Sequence, residues 1–205
     1  MINAPGNENT IKVVPAKPEN WPDVEEYFSR MPCWCQSWRM SSSEFGRHTS
    51  VEFSEKDVNA RRKESLRRQI ESSSPPGVLA YLDGQMVGWC GIGPRHELER
   101  LVRSRTIPAI DDLPVWSIVC FLVRPGFRRR GVARALLRGA IECARSYGVP
   151  ALEAYPIDPA GKRVDVNFAY VGLLPLFESE GFHRVVETSA RSAGLPRWLV
   201  RLELT

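Results

Sequence analysis

The stretch that most limits what this chain can fold into is VWSIVCFLVRPGFRRRGVARALL, Val115 to Leu137. Val115 to Val123 is an apolar run rich in β-branched residues, the pattern of a strand covered on both faces. Pro125 and Gly126 break it, and three consecutive arginines, Arg128 to Arg130, follow. Ala133, Leu136, Leu137, Ala140, Ile141 and Ala144 then recur at helical spacing, and Gly148 is a natural helix stop. A buried strand, a tight turn and an amphipathic helix in succession mark a mixed α/β chain. The first turn of such a helix has main-chain N–H groups without partners and the positive end of the macrodipole, so it attracts anions. Gly131 lets the backbone approach a phosphate with no Cβ in between, and Ala133 keeps the next position small. Arg128, Arg129 and Arg130 would add charge-assisted bonds at the rim. Arg134 and Arg138 read as the solvated side of the helix.

The remaining segments agree with this class. Ile11 to Ala16 reads as an edge strand stopped by Pro15. Glu19 to Arg30 reads as a helix with Trp21, Val24, Tyr27 and Phe28 on one face, and Ser54 to Ser73 as a charged helix capped by Ser54. Asp83-Gly84 between two apolar runs is a hairpin signal. The segment 95–107 is open between a short helix and an ordered loop. ALEAYPI is a strand, YVGLLPLFESEGF a helix closing at Gly181, and HRVVETS and RWLVRLEL the last strands. The resulting order is β-α-α-β-β-β-α-β-α-β-β.

Composition excludes several classes. A net charge of +4 over 205 residues is too mild to argue for nucleic acid, and the basic residues lack interleaved aromatics. No apolar run is long enough for a membrane span. The first twenty residues lack the pattern of a secretory signal, and five cysteines is an odd number in a chain able to build its own core. The expectation is therefore a cytoplasmic protein with reduced thiols. Cys33-x-Cys35 lacks zinc spacing, so no metal is expected, with His48 and Cys90 as the only apparent completions.

VRPGFRRRGVA resembles the acyl-CoA-binding motif of the GNAT acetyltransferase superfamily. That motif is Arg/Gln-x-x-Gly-x-Gly/Ala after a strand ending Val-x-Pro. Arg128, Gly131 and Ala133 take its positions, with Val123 and Pro125 before them. Leu176 to Phe182, LFESEGF, resembles the family's closing Leu-Tyr-x-x-x-Gly-Phe helix. The resemblance implies a mostly antiparallel sheet of about seven strands flanked by helices, with a splayed strand pair holding acyl-CoA. It implies a single domain over residues 1–205, with an acyl-CoA core at about 115–182 and acceptor-side helices at about 18–73. Acetyl-CoA would be the co-substrate. Its pyrophosphate would lie on the amides of Arg129, Arg130, Gly131, Val132 and Ala133, and its pantetheine would run along Phe121, Leu122 and Val123 as an added strand does.

The resemblance further implies transfer of acetyl to a primary amine, by direct attack in a ternary complex. Where the family often has its acidic tyrosine this chain has Phe177, which holds no proton to give. Tyr170 is the first substitute and Tyr155 the second. No Glu lies on the strand before the motif. Glu153, alternating onto the same face as Tyr155, is the best-placed base, and water is the alternative. Trp34, Gln36, Trp38 and Asp158 are candidate acceptor contacts, against simple core packing for the tryptophans. The acceptor is expected to be a small-molecule amine, with no nucleic acid or membrane as partner. Monomer and homodimer are both left open. A protein amine acceptor and a non-catalytic acyl-CoA sensor are the alternative readings.

Overall fold

The computed structural model describes residues 10–45 and 54–204. Seven strands form one sheet in the order β1-β2-β3-β4-β5-β7-β6. They are β1 (Lys12–Pro15), β2 (Gly77–Leu82), β3 (Gln85–Pro94), β4 (Trp116–Val123), β5 (Ala151–Ala154), β6 (His183–Ser192) and β7 (Leu195–Glu203). Every pairing of these strands is antiparallel except β4 with β5. The Asp83-Gly84 hairpin forms with both residues at positive φ, 52° and 77°, as a two-residue turn matched to strand twist requires.

Helices cover both faces. α4 (Val132–Ser146) lies on one, burying Leu136, Leu137, Ala140 and Ile141 against Val78, Ala80, Val87 and Ile118 of the sheet. Its close approach depends on two glycines. A Cβ on Gly139 would meet the Val13 side chain at 2.3 Å, and one on Gly88 would meet Leu136 and Val132 at 2.9 Å. α1 (Trp21–Phe28) and α2 (Glu55–Ile70) cover the other face, where Val24, Phe28 and Leu66 pack with Leu79 and Trp89. The α2 start is a reciprocal cap: Ser54 Oγ accepts from Asp57 N at 3.2 Å, and Asp57 Oδ2 accepts from Ser54 N at 3.1 Å. A third cluster gathers α3 (Glu99–Val102) with Val119, Tyr155 and Leu199.

Two features of β4 position the site. It pairs with β5 only at Trp116↔Leu152, Ser117↔Glu153 and Ile118↔Ala154, and runs on to Val123 with no described strand on that side. Beyond β5 the chain turns away. Ile157 bridges Leu173 and Arg197 instead, with its N–H on the Gly172 carbonyl at 3.0 Å. Second, the β3–β4 register steps from Gly91↔Cys120 to Ile92↔Ile118, so Val119 is a bulge with no β3 residue opposite it.

One expected helix is corrected. Residues 170–181 form a 3₁₀ turn (Ala169–Val171) and a short α5 (Leu174–Glu178), broken by Gly172 at φ 83°. The break is packed: a Cβ on Gly172 would meet the Phe177 ring at 2.5 Å.

Candidate active site

The splayed end of β4 leads directly into the N-terminus of α4. The loop between them turns on Gly126 (φ 88°), Arg129 (φ 62°) and Gly131 (φ 82°). Gly131 is the N-cap, so no side chain caps α4, and its first turn holds no acidic residue. A Cβ at Gly131 would have nothing within 4 Å, so the space before the helix is open. The amides of Val132 and Ala133 therefore meet the requirements of an anion site. Arg128 folds back, donating from Nε to the Val123 carbonyl at 3.3 Å, and Arg130 lies over the Phe127 ring at 5.6 Å. Arg134 and Arg138 are exposed, but they are more than solvated: both pair with Glu180, at 3.3 and 2.7 Å, tying α4 to the chain after α5. Phe121 is buried, edge-on to Phe177 at 5.7 Å, while Leu122 and Val123 are half-buried. This set fits the phosphates and pantetheine of an acyl-CoA.

The acceptor side is read from β5 and β7. Glu153 and Tyr155 do share one face, with Ser117 beside them. The Tyr155 hydroxyl donates to Glu153 Oε2 at 3.0 Å and lies 3.0 Å from Ser117 Oγ. The expected roles of Glu153 as base and Tyr155 as acid are corrected by burial. Glu153 is 1% exposed, 2.6 Å from Arg201 and 3.7 Å from Arg95. Arg201 also grips Asp111 with two bonds, at 2.6 and 3.0 Å. A base must reach the proton it removes, and this carboxylate is enclosed in a structural charge network. Tyr155 is 2% exposed, and burial, then the Glu153 charge, push its hydroxyl up from the ordinary range.

Tyr170 is placed differently. It stands half-buried on the 3₁₀ turn against the cluster that contains Cys120, and its hydroxyl makes no hydrogen bond to a described residue. It is the one of the three expected catalytic side chains with an uncommitted polar group.

Two of the expected acceptor contacts belong to the core. Trp34 is buried, stacked at 6.4 Å on Trp21 and 5.8 Å on Phe28, with its indole N–H on Asn59 Oδ1 at 2.6 Å. Gln36 is fully buried and exchanges amide hydrogen bonds with Gln69 at 2.9 and 3.1 Å. Asp158 is paired with Arg184 at 3.3 Å, and Arg184 lies over the Trp198 ring. Trp38 keeps an exposed edge. It walls an open cleft of about 570 Å³ with Ser41 and Thr106, and packs against the cluster holding Val119.

The CWC loop folds onto the sheet: Cys35 Sγ accepts from the Trp89 indole at 3.1 Å. All five cysteines are free thiols. The Cys120 thiol and Arg39 draw the Cys35 thiol down to about 7. No group of three metal-ligating side chains occurs among the described residues, and His48 lies outside them. No described helix is long and apolar enough to cross a membrane.

Sequence reasoning missed the Val119 bulge and Arg197. The bulge leaves no trace in composition. Arg197 had a signal: with Leu199 and Arg201 it alternates onto the inward face of β7, an unusual place for a cation.

Residues 37–163, more than half of the chain, match the Acetyltransferase (GNAT) family. No curated protein matches the chain. Among solved structures it is similar to YncA from Salmonella typhimurium with its cofactor acetyl-CoA, at 16% identity and TM-score 0.54, covering 96% of this chain and 95% of that one. It is also similar to ribosomal-protein-alanine N-acetyltransferase from Brucella melitensis, at 18% identity and TM-score 0.53, covering 94% and 99%. A GNAT acetyltransferase from Streptococcus pneumoniae matches at 14% identity and TM-score 0.52, covering 96% and 100%. These likenesses are of fold, and the fold agrees with the family match and with the strand splay and open helix start described above. The chain belongs to the GNAT family of acetyltransferases.

Proposed function

We propose that this protein transfers an acetyl group from acetyl-CoA to a primary amine of a small-molecule acceptor, by direct attack in a ternary complex. The observation that carries the reading is the gap where β4 leaves β5 at Ile118, continuous with the uncapped start of α4 at Gly131. In this reading the amides of Arg129 to Ala133 hold the pyrophosphate, and the free edge of β4 at Phe121 to Val123 pairs with the pantetheine arm. Acetyl-CoA supplies the activated acyl carbon. A main-chain N–H at the Val119 bulge polarises the thioester carbonyl, a fixed donor aimed where negative charge develops. The amine nitrogen forms the new bond to the acyl carbon as the carbon–sulfur bond breaks, and Tyr170 gives the departing sulfur its proton. Water takes the proton lost by the amine, because Glu153 is enclosed.

The test is release of free thiol from acetyl-CoA over a panel of amines, with product mass measured. Acetylated amine appearing with wild type and disappearing with Gly131→Glu supports the reading. Acetyl-CoA binding with no amine ever acylated would make the protein an acyl-CoA sensor instead.

A further inference from the structure

Four buried or nearly buried arginines stand near the sheet. Arg201 is paired with Glu153 and Asp111, and Arg95 lies 3.7 Å from Glu153. Arg39 spends one terminal nitrogen on the carbonyls of Pro76 and Ile92, at 2.7 and 2.6 Å. Arg39 Nε is buried without a partner, and Arg197 differs from Arg95 and Arg201 in having no ion pair. Arg197 is 5% exposed, yet among the described residues no carboxylate pairs with it. Its Nε donates to the Tyr155 carbonyl at 2.8 Å, which fixes the guanidinium plane. Its guanidinium carbon lies 5.5 Å from the centre of the Trp38 ring. Its two terminal nitrogens make no hydrogen bond to any described residue and stay open to solvent, while the buried Trp38 Nε1 beside it is without a partner.

A guanidinium that is mostly buried without a counter-charge, and whose terminal nitrogens keep an opening, is suited to an anionic ligand. The location is informative. Arg197 sits opposite Ile157, where the chain turns from β4 to Gly172 and Leu174. Trp38 packs against the cluster holding Val119, and Tyr170 lies within electrostatic range of the guanidinium. The unfilled edge thus lies at the acceptor end of the gap, beside the bulge and the candidate acid. Two parallel N–H groups on a fixed plane match the two oxygens of a carboxylate.

We propose that Arg197 anchors a carboxylate of the acceptor, so that the substrate class is amino acids and related amines bearing an acid group. This rests on the acetyltransferase reading for its chemistry, but the subsite itself can be tested by binding alone. The standard amino acids would be compared with their primary amides and decarboxylated amines. Two readouts apply: thiol release from acetyl-CoA, and thermal shift of the CoA-saturated protein. The expected result is a preference for at least one acid over its own amide by about 10–100-fold in kcat/KM, or the same preference in binding. Arg197→Gln should remove the preference and leave the weaker use of the amide, and Arg197→Lys should restore part of it. If Arg197→Gln does not fold, the wild-type acid-to-amide ratio and the Arg197→Lys ratio still decide. Acids favoured in binding with no turnover of any amine would keep the subsite and remove the transferase reading. Amides acetylated as well as acids would keep the transferase and overturn the subsite. No binding of any acid and no turnover of any amine would overturn both.

Discussion

Glu153 and Arg201 face each other across β5 and β7 with 2.6 Å between carboxylate and guanidinium. The pair is closed off from solvent, with Arg201 8% and Glu153 1% exposed, and Tyr155 and Asp111 complete the bonding. Without the Glu153 charge Arg201 keeps only Asp111, at the edge of the network, whereas chemistry in catalysis would need access for Glu153. Glu153→Gln should therefore lower stability by about 1–3 kcal/mol, read from urea unfolding. It should leave the pH–rate profile of acetyl transfer unchanged in shape. Loss of the low-pH limb from that profile, with stability intact, would return Glu153 to the role of base.

Tyr170 carries the opposite expectation. Its hydroxyl makes no hydrogen bond to a described residue, so Tyr170→Phe should leave the unfolding midpoint close to wild type. Loss of a general acid costs about 10²–10⁴-fold in rate. The decrease should fall on kcat, with the KM for acetyl-CoA little changed. An unaltered kcat would leave protonation of the thiolate to solvent.

The Cys35 thiol gives a pH dependence. It is held down to about 7, first by the hydrogen bond from Cys120 and then by the charge of Arg39, against about 8.5 for a free thiol. A group whose pKa is lower in the folded state adds stability that is complete above the unfolded value and lost as pH falls through the folded one. Wild type should thus gain stability over Cys35→Ser between about pH 6.5 and about pH 8.5. Denaturation midpoints of the two proteins across that window check it. Parallel curves would show Cys35 to be a neutral thiol throughout.

Arg134 and Arg138 share Glu180, which is itself largely buried, so either arginine can hold it alone. Arg138→Ala should leave CoA affinity within about twofold, since exposed pairs contribute little. A large loss of affinity would place this side chain on the phosphates.

The strand–turn–helix unit at 115–146 was readable because three constraints coincide there: a doubly covered strand, glycine at a positive-φ position and a periodic apolar face. Most other strands and the Asp83-Gly84 hairpin were readable for similar reasons. The site beyond β4 was less so. Side-chain commitments are set by distant partners, and no local pattern links Glu153 to Arg201 or Gln36 to Gln69. Trp34 and Trp38 look alike in sequence, four residues apart. Only the fold puts one between Trp21 and Phe28 and the other beside Arg197. The helix expected at 170–181 failed at Gly172, where the Phe177 ring occupies the space a Cβ would take.

The central claim is that the open start of α4 holds acyl-CoA by its main chain. Calorimetric titration of CoA into wild type, Gly131→Ala and Gly131→Glu tests it most directly. Gly131→Ala adds the strain of φ 82°, about 1–2 kcal/mol, and a Cβ on the side the phosphate approaches, so it should weaken binding by about tenfold. Gly131→Glu places a like charge against the pyrophosphate and should weaken binding by more than about 100-fold, with the circular dichroism spectrum unchanged. Equal affinity of the folded Gly131→Glu protein and wild type would contradict the claim.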